Sequence, residues 1–353
     1  MGVLLGMSQD AARPARPGEE ASESHRRRVK VVIGIKHISS YLPEGILGND
    51  SLDARFTFNP GFLERKVGIC ERRIARKDES TSDLCVKAAE KLFAANGLRP
   101  QDVDLVVLCT QNGDYRLPHT TAVLQDRLGL PTRLAAFDVS LGCSGFIYSL
   151  AIIRGWMESQ GSSNSLLFTC DPYSKIINPE DRGTAPIFGD AATVTWIGRE
   201  SRNWLQKGVF GTDGAHYDAL IVRNSGTRVE ERKEGTPPGF LEMDGRILYE
   251  YMLRVIPEAV RECLQKNDLQ ESDIDYFIFH PGSRHLLEGI RKNLGIAEER
   301  MVCNLKYLGN TVSSTVPLAL VEVMEKQDLA GKRLLLCGFG VGLSWGATVL
   351  AYA

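Results

Sequence analysis

One cysteine stands at a join between two predicted elements. Cys143 lies in "DVSLGCSGF", after a run with strand character and before the long apolar segment "GFIYSLAIIRGWMESQG", which is typical of a buried helix. The positive end of a helix dipole favours a thiolate, which is the nucleophilic form of cysteine. The small neighbours leave space for a thioester. Taken by itself, a cysteine in an apolar stretch is more often a core residue, so the local pattern fits both roles.

A histidine and an asparagine occupy related positions further along the chain. His280 ends the apolar run "IDYFIFH", and Asn310 follows Gly309 in "YLGNTVSSTVP". An imidazole N–H and an amide can together stabilise the negative charge that develops on an enolate oxygen. A histidine at a strand end is usually structural, and an asparagine after glycine can cap a helix. A capping role does not exclude the chemical one.

The second half of the chain repeats the first. Residues 102–109 resemble 273–280, residues 124–130 resemble 290–296, and residues 137–152 resemble 303–320. The spacing of about 170 residues is too long for a solenoid and indicates a duplicated half-domain. Cys143 then corresponds to Asn310. Packing about a pseudo-twofold axis would bring these two positions and His280 to the carboxyl ends of the strands, where α/β sheets bind ligands.

The elements that must position these residues alternate between strands and helices. Apolar runs predict strands over 30–39, 103–110, 165–171 and 191–198. Residues 80–98 predict a helix with serine caps at its start and Gly97 at its end, and 120–130 predict another. This order predicts an α/β fold with a largely buried sheet.

Composition narrows the class of protein. The 353 residues are 43% hydrophobic and 24% charged with a net charge of −2, which is typical of a globular protein and gives no overall field for nucleic acid or anionic membrane. No apolar run reaches the roughly 18 residues of a membrane span. The eight cysteines form no C-x-x-C pair and several lie in apolar runs, which indicates reduced thiols in the cytoplasm. Residues 1–28 have the composition of a disordered extension.

From Val29 to Ala353 the chain resembles the thiolase-fold condensing enzymes, and most of all the ketoacyl-ACP synthase III family. The motifs are "GCSGF" at Cys143, "FIFHPGS" at His280, "YLGNTVSSTVP" at Asn310 and "GFGVGLSWG" near the end, supported by "YLPE", "VGICERRIA" and "DRGTAPIFGDAA". The resemblance implies a five-layer αβαβα fold of two duplicated half-domains, 29–203 and 204–353. It also implies a homodimer.

The resemblance assigns chemistry to the three residues. Cys143 would accept an acyl group from an acyl-CoA, and His280 with Asn310 would stabilise the enolate formed when malonyl-ACP loses CO2. The attack of that enolate would give a 3-oxoacyl-ACP by a ping-pong route that needs no metal or redox cofactor. The backbone N–H groups of Cys143 and Gly342 would form an oxyanion hole. No βα unit follows "GFGVG", which argues against a dinucleotide site there.

Further residues take their expected roles from the resemblance alone. Those expected to contact coenzyme A are Arg182, Phe62 and Lys66, and those expected to meet the acidic carrier protein are Arg284 and Lys292. The chain departs from the usual family pattern along the pantetheine arm and acyl pocket at Ser283, Arg246 and Leu117. These departures indicate an acyl starter other than acetyl, as in a specialised pathway.

Three other functions are compatible with parts of the pattern. The same three residues could transfer an acyl group to a hydroxyl or amine without decarboxylation. A thiolase proper would need a second catalytic cysteine near the C-terminal glycine loop, where Cys337 lies in "LLLC" and indicates a core residue. A non-catalytic partner subunit of a heterodimeric synthase typically lacks the nucleophile or the histidine, and this chain keeps both.

Overall fold

The structure is a computed structural model that describes residues 32–230 and 239–353, so the predicted disordered segment 1–28 lies outside it. The strands are β1 Ile33–Tyr41, β2 Gly45–Gly48, β3 Glu71–Ile74, β4 Leu105–Cys109, β5 Ala135–Val139, β6 Asn164–Cys170, β7 Ala192–Arg199, β8 Asn203–Leu205, β9 Val209–Thr212, β10 Leu220–Ile221, β11 Glu242–Met243, β12 Tyr276–Phe279, β13 Met301–Val302, β14 Arg333–Gly340 and β15 Ser344–Tyr352. The helices are α1 Asn49–Phe56, α2 Phe62–Lys66, α3 Thr81–Asn96, α4 Thr120–Arg127, α5 Gly145–Gln160, α6 Gly245–Lys266, α7 Arg284–Leu294 and α8 Thr315–Lys326.

Two mixed sheets share one strand order. The first runs β1-β7-β6-β4-β5, and the second runs β8-β15-β14-β12-β13, with β9 also pairing with β15. In each sheet the strand second from one edge, β4 or β12, is parallel to both of its neighbours, and the next pair, β6 with β7 or β14 with β15, is antiparallel. The repeat seen in the sequence is therefore a repeat of topology. The expected boundary between residues 203 and 204 lies within β8, which belongs to the second sheet.

The layers follow from where the helices pack. Helices α5 and α8 contact strands of both sheets, while α3 and α4 contact the first sheet and α6 contacts the second and packs on α7. The core between the sheets includes Phe146, Leu150, Val316 and Leu320, all of them buried. Separate apolar cores lie beneath α3 and α6. This confirms the predicted five-layer αβαβα fold.

Local signals in the sequence account for the helix ends. Ser80 accepts the Asp83 backbone N–H and Asp83 accepts the Ser80 backbone N–H, which forms the capping box of α3. Gly97 ends that helix in the left-handed conformation, with a φ of 67°. Among the helices described here, none has both the length and the apolar character needed to cross a membrane.

Candidate active site

Cys143 lies in the loop between β5 and α5, two residues before the helix begins. Strand β14 of the second sheet passes very close to Cys143. A Cβ atom added to Gly340 would lie 2.9 Å from both Cβ and Sγ of Cys143, and one added to Gly338 would lie 2.5 Å from the Cys143 carbonyl oxygen. The "GFG" glycines therefore allow β14 to reach the nucleophile loop, which glycine alone permits at this distance.

His280 follows β12, and its backbone N–H donates to the Cys337 carbonyl at 2.8 Å. Its side chain is 3% exposed, with Nδ1 lying 2.8 Å from Thr315 Oγ1. The Thr315 hydroxyl donates to the Val312 carbonyl at 2.8 Å, so its oxygen accepts the Nδ1–H of His280. Nε2 is then the nitrogen left for the cavity. Burial lowers the pKa of His280 to about 3, so the imidazole is neutral at physiological pH.

Asn310 is held by the first half through backbone pairing. Its N–H donates to the Ile187 carbonyl at 2.9 Å, and its own carbonyl accepts the Gly189 N–H at 3.0 Å. Its Oδ1 accepts the Val312 N–H at 2.9 Å, which leaves the Nδ2 amide to donate elsewhere. Val312 has a φ of 54°, a conformation that costs energy for a β-branched residue. The turn around Asn310 is therefore held by its surroundings.

The sequence predicts a helix directly after Asn310, by analogy with Cys143, and this is wrong in detail. A 3-10 turn at Val312–Ser314 intervenes, and α8 begins at Thr315. Contacts with the rest of the fold are the reason. Ser314 Oγ donates to the Thr169 carbonyl at 3.0 Å, so hydrogen bonds to the first sheet hold this turn where local propensity would extend the helix.

One cavity brings the three residues together. It has a volume of about 250 Å³, and Cys143, His280 and Asn310 all contribute to its lining. The other lining residues are mostly apolar or glycine and comprise Ile187, Phe188, Leu220, Met243, Gly245, Leu248, Tyr249, Met252, Gly282, Ser283, Leu286, Phe339 and Gly340. A mostly apolar cavity with a few polar groups is typical of a site for a small molecule or a substrate arm.

The thiol of Cys143 is not ionised by its surroundings. Burial raises the pKa of Cys143 well above its usual value, and the negative charge of Asp171 raises it further, while N–H groups of Cys143 and Val341 lower it. The expectation that the helix dipole favours a thiolate is therefore outweighed by desolvation. The nucleophile must lose its proton to a base in the cavity.

Two backbone N–H groups lie close enough to Cys143 to lower the pKa of its thiol, that of Cys143 itself and that of Val341. Gly342, which was expected to share the oxyanion hole with Cys143, is not among the groups that shift this pKa. Gly342 has a φ of 138° and leads into β15. Val341, the residue before it in the same loop, is therefore a second candidate for the oxyanion hole.

The residues expected to bind coenzyme A lie near one another in a surface stack. The Arg182 guanidinium lies 4.4 Å from the ring centroid of Phe58, and that ring stacks on Phe62 with centroids 5.1 Å apart. Lys66 is exposed at the end of α2. The sequence singled out Phe62 and missed Phe58, which is the ring in contact with the arginine.

The remaining predicted residues divide by position. Ser283 lines the cavity and caps α7 by accepting the Leu286 N–H at 3.2 Å. Arg246 does not line it; its side chain is 85% exposed and pairs with Glu250 at 2.9 Å. The side chain of Lys292 is 70% exposed and pairs with Glu288 at 3.4 Å. Two more lie outside the cavity lining, namely Arg284 at the start of α7 and Leu117, which is 87% exposed.

Sequence reasoning missed two buried polar residues beside the centre. Thr315 holds His280, and Asp171 accepts hydrogen bonds from both halves of the molecule. The signal for Asp171 was a carboxylate directly after the buried run "SLLFTC". Burial raises its pKa to about 6 in spite of those hydrogen bonds.

Family models match both halves of the chain. The model described as 3-Oxoacyl-[acyl-carrier-protein (ACP)] synthase III matches residues 137–214, and the model of the C-terminal part of the same family matches residues 264–352. Cys143 falls in the first matched region, and His280 and Asn310 fall in the second.

Similarity to individual proteins extends over nearly the whole chain. The Beta-ketoacyl-[acyl-carrier-protein] synthase III of Caldanaerobacter subterraneus subsp. tengcongensis is 34% identical over 328 residues, covering 92% of this chain and 99% of that protein. A crystal structure of a 3-oxoacyl-(acyl-carrier-protein) synthase III superposes with a TM-score of 0.86 at 36% identity, covering 91% of this chain and 100% of that one. The enzyme from Thermus thermophilus gives 0.83 at 33%, covering 91% and 99%. The chain belongs to the 3-oxoacyl-ACP synthase III family of thiolase-like condensing enzymes, which are acyltransferases of fatty acid biosynthesis.

Proposed function

We propose that the enzyme transfers an acyl group from an acyl-CoA to Cys143 and condenses it with malonyl-ACP to give a 3-oxoacyl-ACP. The observation that carries this proposal is the convergence of Cys143, His280 and Asn310 on one mostly apolar cavity. The nucleophile comes from one half of the molecule, and both enolate-stabilising donors come from the other.

In the first half-reaction, His280 takes the proton of the Cys143 thiol at Nε2. The resulting thiolate attacks the thioester carbonyl, and the tetrahedral oxygen accepts the backbone N–H groups of Cys143 and Val341. The effect of both N–H groups in lowering the pKa of the Cys143 thiol supports this role. The bond to the coenzyme A sulfur then breaks, and that sulfur receives the proton from His280. A neutral imidazole with a free Nε2 is the form that can accept a proton.

In the second half-reaction, the malonyl thioester loses CO2 and its electron pair forms an enolate. His280 Nε2–H and Asn310 Nδ2 donate to the enolate oxygen, which lowers the barrier to decarboxylation. The enolate carbon attacks the acyl thioester, and Cys143 leaves as a thiolate that takes a proton from water to regenerate the free thiol. His280 needs opposite tautomers in the two half-reactions. The Thr315 hydroxyl supports both, because it can accept from Nδ1–H while donating to the Val312 carbonyl, or release that carbonyl and donate to Nδ1 instead.

The partners of this reaction are an acyl-CoA, an acyl carrier protein and a second copy of the chain. Arg182, Phe58 and Phe62 would contact the nucleotide end of coenzyme A, and Arg284 with Lys292 would contact the carrier. Ser283 would contact the pantetheine arm that the cavity admits. We also propose a cytoplasmic location, supported by eight cysteines that are all free thiols.

Intact-mass measurement after incubation with a panel of acyl-CoAs tests the proposal. A mass gain of one acyl group that is lost in Cys143→Ala is expected, and the best substrate names the starter. Release of CO2 on adding malonyl-ACP to the acylated enzyme would complete the evidence. Acylation without CO2 release would instead indicate transfer to a hydroxyl or amine. An unchanged mass gain in Cys143→Ala would contradict the proposal.

A further inference from the structure

A buried carboxylate next to the centre has no part in the steps above. Asp171 directly follows β6 and has no exposed surface. Four titratable groups are close enough for its charge to raise their pKa, and all of them are neutral when protonated: Cys109, Cys143, Cys170 and Tyr173. The groups that hold Asp171 itself are uncharged hydrogen-bond donors.

The two oxygens of Asp171 bind different halves of the molecule. Oδ1 accepts the backbone N–H of Gln111 at 2.7 Å and the hydroxyl of Thr110 at 3.3 Å, both just after β4. Oδ2 accepts the hydroxyl of Ser313 and also its backbone N–H at 3.4 Å. One side chain therefore fastens the first sheet to the 3-10 turn Val312–Ser314 of the second half.

That turn determines where both enolate-stabilising donors lie. Val312 donates its N–H to Asn310 Oδ1, and its carbonyl accepts the hydroxyl of Thr315, which in turn contacts His280 Nδ1. A shift of the turn would move the amide of Asn310 and the ring of His280 together. Displacements of about 1 Å from groups that do not touch the substrate can cost on the order of 100-fold in rate.

The charge of Asp171 acts on the nucleophile as well. Oδ1 of Asp171 accepts the backbone N–H of Gln111 at 2.7 Å, and the Gln111 side-chain oxygen lies 2.5 Å from where a Cβ added to Gly142, the residue before Cys143, would sit. After burial, the charge of Asp171 is the largest cause of the raised pKa of Cys143. Like charges repel strongly in a buried site because little water screens them. An ionised Asp171 therefore favours the neutral thiol in the free enzyme.

We propose that Asp171 is a positioning residue for both centres: its hydrogen bonds fix the turn that aligns Asn310 and His280, and its charge keeps Cys143 a neutral thiol until His280 takes the proton. The first statement, on the alignment of Asn310 and His280, is the alignment part and rests on the proposed decarboxylation. The second, on the charge of Asp171, is the charge part and concerns only the Cys143 thiol. The two parts can be measured separately.

Asp171→Asn tests both parts with little change in shape. The pH at which iodoacetamide begins to alkylate Cys143 is expected to fall by about half a unit or more, because the buried negative charge is gone. CO2 release from malonyl-ACP is expected to fall about tenfold or more, because an amide has a single acceptor oxygen and cannot accept the N–H groups of both Gln111 and Ser313. Acylation by acyl-CoA is expected to stay within about threefold of the wild-type rate, since the thiol is easier to ionise.

Asp190→Asn is the matched control. Asp190 is also fully buried, accepts backbone N–H groups of Ala75 at 2.8 Å and Ser174 at 3.1 Å, and is not among the groups that shift the pKa of Cys143. Asp190→Asn is expected to leave the pH profile of Cys143 alkylation unchanged. Coincident alkylation profiles of Asp171→Asn and the wild type would overturn the charge part.

Ser313→Ala separates alignment from charge and serves if Asp171→Asn does not fold. It removes the hydroxyl contact with Oδ2 and keeps the carboxylate, so CO2 release is expected to fall while the alkylation profile stays in place. Unchanged CO2 release in Ser313→Ala would overturn the alignment part. Failure of the proposed function is distinguishable, because the wild-type enzyme itself would then release no CO2.

Discussion

At the scale of single residues, the centre works with a neutral imidazole. Because burial lowers the pKa of His280 to about 3, the neutral form persists throughout pH 5–8. The rate of CO2 release from malonyl-ACP is therefore expected not to fall as the pH rises through the usual histidine pKa of about 6.5. Protonation of Asp171, whose pKa is about 6, would give the opposite trend, a fall as the pH is lowered. A rate that falls as the pH rises through about 6.5 would mean that the imidazolium is the acting form.

Removal of the imidazole tests its role directly. His280→Ala is expected to lower the rate of CO2 release by about 100-fold or more. His216 lies outside the cavity, so His216→Ala is expected to change this rate little.

The same scale shows what the sequence can and cannot reveal about the site. Cys143 and Asn310 were predictable together because the repeat places them at equivalent joins, and the structure brings both into one cavity. Asp171 was not, because its role depends on Ser313, 142 residues away along the chain. Which N–H of the glycine loop lies near the thiol is equally hidden from the sequence: the resemblance indicates Gly342, whereas the N–H that lowers the pKa of Cys143 belongs to Val341.

At the scale of elements, regular segments were more predictable than the turns that carry chemistry. The ends of α3 follow from Ser80, Asp83 and Gly97, all of which act within a few residues. The turn after Asn310 follows from contacts with the first sheet, so local propensity predicts a helix there and is overruled. Local signals predict elements well where local hydrogen bonds decide them.

The close approach of β14 to the nucleophile loop gives a prediction for this scale. Gly340→Ala would place a Cβ atom 2.9 Å from Cys143 Sγ, so the strand or the loop must move. Acylation of Cys143 is expected to fall by about tenfold or more, and the melting temperature to fall with it. Gly155→Ala is the control, since a Cβ in that part of α5 meets nothing within 4 Å, and it is expected to stabilise by about 0.5–1 kcal/mol. Acylation at the wild-type rate in Gly340→Ala would contradict the packing argument.

At the scale of the whole molecule, one edge of the first sheet is left open. Strand β5 is the last of its sheet and pairs on one side only, with β4, among the strands described for residues 32–230 and 239–353. Its residues are all half-buried, and the nearby loop carries Leu117, 87% exposed, and Tyr115, 65% exposed. An open edge beside exposed apolar side chains is a surface that proteins usually cover. A second copy of the chain is the occupant that the proposed homodimer supplies.

The dimer then has a measurable consequence for the site. Sedimentation at micromolar concentration is expected to give twice the mass of the chain. Leu117→Asp is expected to weaken association by about tenfold or more, because it buries a charge in an apolar contact. Acylation is expected to fall with it, since Leu117 lies outside its own cavity and would close the acyl pocket of the partner. Ile46→Asp changes another exposed apolar residue, 57% exposed on β2, and is expected to alter neither. Equal effects of the two substitutions, or a wild-type monomer with full activity, would contradict the assignment of this edge to the interface.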